Sequence, residues 1–156
     1  MESKKKTLFI CILIPLIVGG LSGLISRGGM ETFALLNKPV LSPPGWLFPV
    51  VWTILYILMG IASYLIYTAG ANRDCVLEAL QTYAWQLAVN FFWSIFFFNF
   101  GWYLFSFFWL VLLWVLILKC IRQFYRISKP AAYLMLPYLL WVTFAGYLNL
   151  TIYMLN

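Results

Sequence analysis

Apolar residues in this chain fall in long unbroken runs, and charge is confined to the gaps between them. Five runs are each near the roughly 20 residues a helix needs to cross a hydrocarbon core. They extend over Leu8 to Ile25, about Trp46 to Tyr67, about Tyr83 to Phe100, about Trp102 to Leu118, and about Ala131 to Tyr153. No charged residue occurs from Ala79 to Leu118, a block too long for one span, and Asn99-Phe100-Gly101 supplies the turn signal that splits it into a tight hairpin. The pattern predicts an all-α fold: an integral membrane bundle of five transmembrane helices, with residues 1–156 forming one domain.

The connection over residues 26–44 is the one long loop in this reading. Gly28-Gly29, Lys38-Pro39 and Ser42-Pro43-Pro44-Gly45 rule out a continuous helix there, although Glu31 to Asn37 has room for a helical turn or two. A long loop on so small a bundle reads either as a lid over a functional site or as a plain tether.

Composition agrees with the pattern. The chain is 65% hydrophobic and 9% charged, with a mean hydropathy of +0.95, whereas soluble domains carry about 25% charged residues. A surface this apolar is suited to lipid. The net charge of +6 sits at helix ends, which points to topology and anionic headgroups rather than to nucleic acid. Lys4, Lys5, Lys6, Arg73, Lys119, Arg122, Arg126 and Lys129 fall on one side of a five-span chain, and Arg27 and Lys38 on the other. This bias predicts a cytoplasmic N-terminus and an outward-facing loop. The lysines before the first run resemble the start of a secretory leader, but the run is long and no convincing cleavage site follows, so a retained first span is expected. A cleaved first span or a sixth span would invert the orientation.

Several chemistries lack their parts. The chain has no His, its acids (Glu2, Glu31, Asp74, Glu78) are dispersed, and Cys11, Cys75 and Cys120 show no paired spacing. Haem ligation through His, a divalent metal site and a hydrolytic triad are all disfavoured, and no cofactor is expected. No ionisable residue lies within the core of any predicted span, which argues against pumps and ion-coupled carriers.

Aromatic surface is abundant instead, at 21% of residues with eight Trp. Trp46, Trp85, Trp102, Tyr103 and Tyr153 lie near span ends, as interfacial rings do. Trp52, Trp93 and Trp141 lie a turn or more inside, where each indole N–H needs a partner away from water. Asn90 and Ser94 share a helix face at i, i+4, with Trp93 flanking it, and Trp141, Ala145 and Leu148 form a stripe on the last helix. Asn90, Ser94 and Asn149 serve equally well as inter-helix hydrogen-bonding groups or as the polar handles of an aromatic-walled pocket. Ala84 and Ala88 have the small-xxx-small spacing of a close helix contact, within one chain or between two.

Three stretches together resemble the TspO/MBR family (translocator protein, peripheral benzodiazepine receptor, tryptophan-rich sensory protein), in its bacterial form. The first is Lys38-Pro39 and Pro43-Pro44-Gly45-Trp46 with Phe48, Trp52, Leu55-Tyr56 and Met59-Gly60-Ile61-Ala62. The second is Gln86-Leu87-Ala88-Val89-Asn90 with Trp93-Ser94 and Phe96-Phe97-Phe98. The third is Ala131-Ala132 and Pro137-Tyr138-Leu139-Leu140-Trp141 with Phe144-Ala145, Tyr147-Leu148-Asn149 and Asn156. Their order and spacing cover essentially the whole chain.

The resemblance implies a five-helix bundle, commonly a homodimer, with one pocket under the first loop. It also implies tetrapyrrole ligands such as protoporphyrin IX, sterols, and synthetic isoquinoline-type ligands. Carried over by motif position, Trp52, Trp93 and Trp141 line the pocket, with Asn90 and Ala145 on its wall. Beside them we expect Ser94, Leu148 and, from the loop, Phe33. The chain departs from the family pattern at Thr32-Phe33, where Trp-Tyr is frequent, at Leu41, where another Trp is frequent, and after Tyr153, where no basic residue follows.

The residues and the resemblance converge on binding of flat, largely apolar rings in a bacterial cell membrane. Porphyrin propionates would face water or the loop cations Arg27 and Lys38. Without a His ligand, binding should tolerate loss of the iron. Light-dependent porphyrin degradation, with Trp52 and Trp141 as redox partners, and transport of apolar metabolites are the alternatives. The absence of internal repeats fits transport least well.

Overall fold

The computed structural model describes residues 2–156, which form helices and no strand. In chain order they are α1 (Glu2–Ile25), α2 (Arg27–Ala34), α3 (Leu47–Tyr67), α4 (Arg73–Ser94), which runs on as a π-helical turn (Ile95–Asn99), α5 (Tyr103–Ile127) and α6 (Lys129–Leu155). Helices α1, α3, α5 and α6 are each long and apolar enough to cross a membrane.

The expected runs all lie on helices, but several boundaries move. α4 starts at Arg73, well before the expected Tyr83, because Asn72 caps it: its side chain accepts from the Asp74 N–H at 2.8 Å, and Asp74 sits favourably at the positive end of the helix. α5 continues past Leu118 through the basic residues to Ile127, where Ser128 starts α6 by accepting from the Ala131 N–H. The hairpin turn falls where Asn99-Phe100-Gly101 predicted it, with Gly101 at φ 64°. In the long loop, the helix forms earlier than Glu31 to Asn37. Gly28-Gly29 lie inside α2 because Ser26 N–H still bonds Ser22 and Met30 N–H bonds Ser26, so α1 hands its backbone ladder to α2.

The five long helices form a closed circuit: α1 packs on α3, α3 on α6, α6 on α5, α5 on α4, and α4 back on α1. α3 and α4 also meet across it. Gly60 sets the α1–α3 contact, since a Cβ there would lie 2.5 Å from the Cα of Ile12 and 2.7 Å from the Cys11 carbonyl oxygen. Inward residues recur at helical spacing, as in Tyr83, Gln86, Asn90 and Trp93 on α4 or Tyr138, Val142, Ala145 and Asn149 on α6. Large apolar residues such as Phe9, Leu24, Phe108 and Leu140 point outward, as a lipid-facing surface requires. α2 lies across one end of the circuit, seated on the π-helical turn.

Candidate functional site

The centre of the bundle holds a polar network built from three helices. Asn90 accepts a hydrogen bond from the Tyr56 hydroxyl at 3.3 Å and donates from Nδ2 to the Tyr138 hydroxyl at 2.7 Å. Tyr138 in turn donates to Gln86 Oε1 at 2.7 Å, and Gln86 Nε2 donates to the Met59 sulfur at 3.9 Å. One turn nearer α2, the Trp93 indole donates to Asn149 Oδ1 at 3.0 Å, and Asn149 donates to the Tyr103 carbonyl at 2.7 Å. Both asparagines are thus satisfied inside the protein, the condition for keeping such groups away from water.

Rings surround this network on the α2 side. Trp52 stacks on Tyr56, with centroids 5.5 Å apart, and stands edge-on to Tyr138 at 6.2 Å. One turn beyond Tyr138 on α6, Trp141 meets Phe48 at 5.9 Å. Phe48 meets Phe33 of α2 at 6.4 Å, and Phe33 contacts Phe97 at 5.7 Å and Phe98 at 5.4 Å. Phe97 stacks on Trp93 at 5.1 Å. Trp93 and Trp141 are therefore joined by one chain of aromatic contacts that passes through Phe33 of α2, whereas Trp52 forms a separate cluster with Tyr56 and Tyr138.

The other expected site residues divide. Ala145 and Leu148 are buried on the inward face of α6, as Asn90 and Trp93 are on α4. Ser94 is half-buried and, among the described residues, joins none of these hydrogen bonds. Of the two loop cations, Lys38 lies beside these rings: its ammonium is 4.8 Å from the Phe33 ring centroid and donates to the Ala34 carbonyl at 3.2 Å. Arg27 is exposed at the opposite end of α2. The Trp141 indole N–H is enclosed and has no acceptor among the described residues, the one inward-facing donor of the three tryptophans left in that state. No group of three metal-binding side chains occurs among the described residues.

Two clefts open elsewhere. One, of about 310 Å³, runs between α5 and α6 beside Trp114 and Gly146. The other, of about 420 Å³, separates the first turn of α2 from the α4–α5 turn, beside Thr32, Asn99 and Tyr103.

With this arrangement in view, the comparison with known proteins is decisive: the TspO/MBR family profile matches residues 11–155. The chain belongs to the TspO/MBR family. It is 40% identical to the tryptophan-rich protein TspO of Chlorobaculum tepidum, over 100% of this chain and 99% of the relative. It is 33% identical to the protein CrtK of Rhodobacter capsulatus, over 96% and 93% of the two chains. Identity to the bovine (Bos taurus) translocator protein is 37%, over 88% of this chain and 82% of that one. Membership in the TspO/MBR family and the apolar helices make this an integral membrane protein.

Tyr56, Gln86 and Tyr138 belong to the motifs that carry the resemblance to TspO/MBR sequences without an expected site role, and they form the polar centre of the bundle. Their signal was present in the spacing. Gln86, Asn90 and Trp93 share one face of α4 at i, i+4 and i+7. Phe48 and Phe97, which complete the ring chain, carry no distinguishing signal in so aromatic a sequence.

Proposed function

We propose that this protein is a five-span membrane receptor for flat, largely apolar ring systems of the tetrapyrrole class, with synthetic isoquinoline-type molecules as surrogate ligands. The observation that carries the reading is the aromatic chain linking Trp93 and Trp141 through Phe33, with the Trp141 N–H left without an acceptor and the Trp52–Tyr56–Tyr138 cluster beside it, tied to Asn90 by hydrogen bonds. Indole faces supply stacking area, and a free enclosed donor suits a ring ligand bearing an acceptor. Asn90, Ala145, Leu148 and Phe33 complete the wall, with Ser94 at its margin. Lys38 is placed to meet a carboxylate. Relatives carry the names tryptophan-rich sensory protein and translocator protein, which fit a ligand-responsive membrane protein.

The fifth span in this reading is α4 with its π-helical turn. Its charges, Arg73, Asp74 and Glu78, all lie in its first two turns, and from Ala79 onward it has none. The N-terminus then faces the cytoplasm of a bacterial cell and the lid faces outward. Ala84 and Ala88 are exposed on α4, which supports that face as a homodimer contact.

Titration of tryptophan fluorescence with protoporphyrin IX, haem, a sterol and an isoquinoline ligand tests the proposal. Protoporphyrin IX and haem should quench comparably, and Trp52→Phe and Trp141→Phe should each weaken binding roughly tenfold, the loss of about 1.4 kcal/mol. Quenching by haem alone, or full affinity in both variants, would sink the reading.

A second reading rests on the stacking of Trp52 upon Tyr56. An excited porphyrin beside this pair has an electron donor at hand, which favours light-dependent porphyrin breakdown with Trp52 and Trp141 as redox partners and dissolved dioxygen as the oxidant that opens the ring. Bleaching of the Soret band under illumination should slow in Trp52→Phe and Trp141→Phe, measured at saturating ligand. Unchanged bleaching would remove both residues from the chemistry.

A further inference from the structure

The loop after α2 is fastened by a side chain from the other end of the chain. The Asn37 N–H donates to Asn156 Oδ1 at 3.2 Å, and Asn156 Nδ2 donates back to the Asn37 carbonyl at 3.0 Å. A single carboxamide thus pairs with both backbone groups of one loop residue. The same Nδ2 also donates to the Ile152 carbonyl at 2.8 Å, so the last turn of α6 holds the amide in orientation. The neighbouring loop bonds, Leu36 N–H to Phe33 and Ser42 N–H to Pro39, are local and tie the loop only to itself.

The two ends of the lid are held differently. At its start, Gly29 lies so close to the Phe98 carbonyl that a Cβ would overlap it, and this end is seated on the π-helical turn. The far end is held by Phe33, wedged among Phe48, Phe97 and Phe98, and by the Asn37–Asn156 pair. Phe33 closes the chain of rings between Trp93 and Trp141, so a flat molecule reaching those tryptophans from the lid side has to displace it.

We propose that Asn156 is the catch of this lid, and that release of Asn37 frees Phe33 to swing out and admit the ligand, with the Gly29 end as the pivot. The ligand half of the proposal rests on the receptor reading above, whereas the catch itself does not. The pair is solvent-accessible and contributes two ordinary hydrogen bonds. Their loss should raise the fraction of open lid roughly tenfold. Because the same catch closes over empty and filled sites, association and dissociation should both accelerate while Kd stays nearly constant.

The test is Asn156→Ala in lipid nanodiscs, with Asn156→Asp as a graded variant that keeps the acceptor for Asn37 N–H but loses the donor. Asn156 lies beyond the last residue of α6, so helical content should not change in either protein. Amide hydrogen exchange over residues 35–46, measured without ligand, should rise roughly tenfold in Asn156→Ala and less in Asn156→Asp. Stopped-flow tryptophan quenching by protoporphyrin IX should show both rates rising by the same factor. Unchanged exchange would overturn the catch. Faster exchange with unchanged binding rates would overturn its role as a gate. Faster exchange with no quenching in any of the proteins would leave the catch supported and remove the ligand reading instead.

Discussion

Asn90 bonds a tyrosine on each of two other helices, and Tyr138 passes the connection on to Gln86. A side chain with several partners inside a membrane bundle costs more to remove than one with a single partner, because each orphaned group has no water to turn to. Asn90→Ala should therefore lower stability by about 1–2 kcal/mol in a detergent melting or steric-trap measurement. A loss indistinguishable from zero would mean that Tyr56 and Tyr138 find other partners. The tryptophans offer a sharper comparison. Trp93→Phe strands Asn149 Oδ1, whereas Trp141→Phe strands nothing, since its N–H has no acceptor to lose. Both changes replace indole by phenyl, yet the first should cost about 1 kcal/mol more stability than the second. Equal costs would show that the Trp141 N–H is already satisfied. At this scale the sequence revealed where depth and polarity coincide, as in Asn90 and Trp93. It did not reveal pairing: nothing in the local pattern says that the partner of Trp93 is Asn149, 56 positions away.

Helices were the most legible level, and their errors share one cause. A hydropathy run ends where charge begins, but a helix ends where its backbone loses partners, so α4 and α5 extend beyond their apolar stretches into capped or basic turns. Polar side chains also set α4 apart from the four long helices that are apolar enough to cross a membrane. Gln86 and Asn90 count as polar in any hydropathy average, although the bundle satisfies both internally. The lid helix α2 was misplaced because Gly28-Gly29 reads as a break, yet a glycine is what lets α2 settle on the Phe98 carbonyl. Close approach of α1 and α3 at Gly60 yields a prediction of its own. The atoms a new Cβ would meet there belong to the backbone of α1, which cannot rotate aside. Gly60→Ala should destabilise the protein by roughly 1–3 kcal/mol. Gly20→Ala, where a Cβ meets nothing within 4 Å, should be neutral or slightly stabilising, since alanine favours the helix. A neutral Gly60→Ala melting curve would mean that α1 shifts without cost.

The whole molecule turns on whether α4 crosses the membrane, since the count of crossings fixes which side every later element faces. If α4 crosses, the α3–α4 turn and the α5–α6 turn lie on the same side, along with Lys4, Lys5 and Lys6. The basic residues Arg73, Lys119, Arg122, Arg126 and Lys129 then share one aqueous face, as the bias of positive charge requires. If α4 does not cross, those at the end of α5 move to the opposite face and the bias collapses. The circuit of helix contacts favours the first arrangement, because α4 closes the ring between α5 and α1 and also meets α3 across it. Chemical labelling distinguishes the two. Cys75 is exposed at the start of α4, while Cys11 is half-buried and Cys120 is buried within the helices, which makes Cys75 the natural cysteine most open to a membrane-impermeant maleimide. In intact cells Cys75 and an introduced Arg126→Cys should both be protected, and both should react once the membrane is opened, whereas an introduced Lys38→Cys on the lid should react from outside at once. Labelling of Arg126→Cys from outside while Cys75 stays protected would remove α4 from the membrane. With it would go the arrangement that sets the Gln86–Asn90–Trp93 face against α3 and α6.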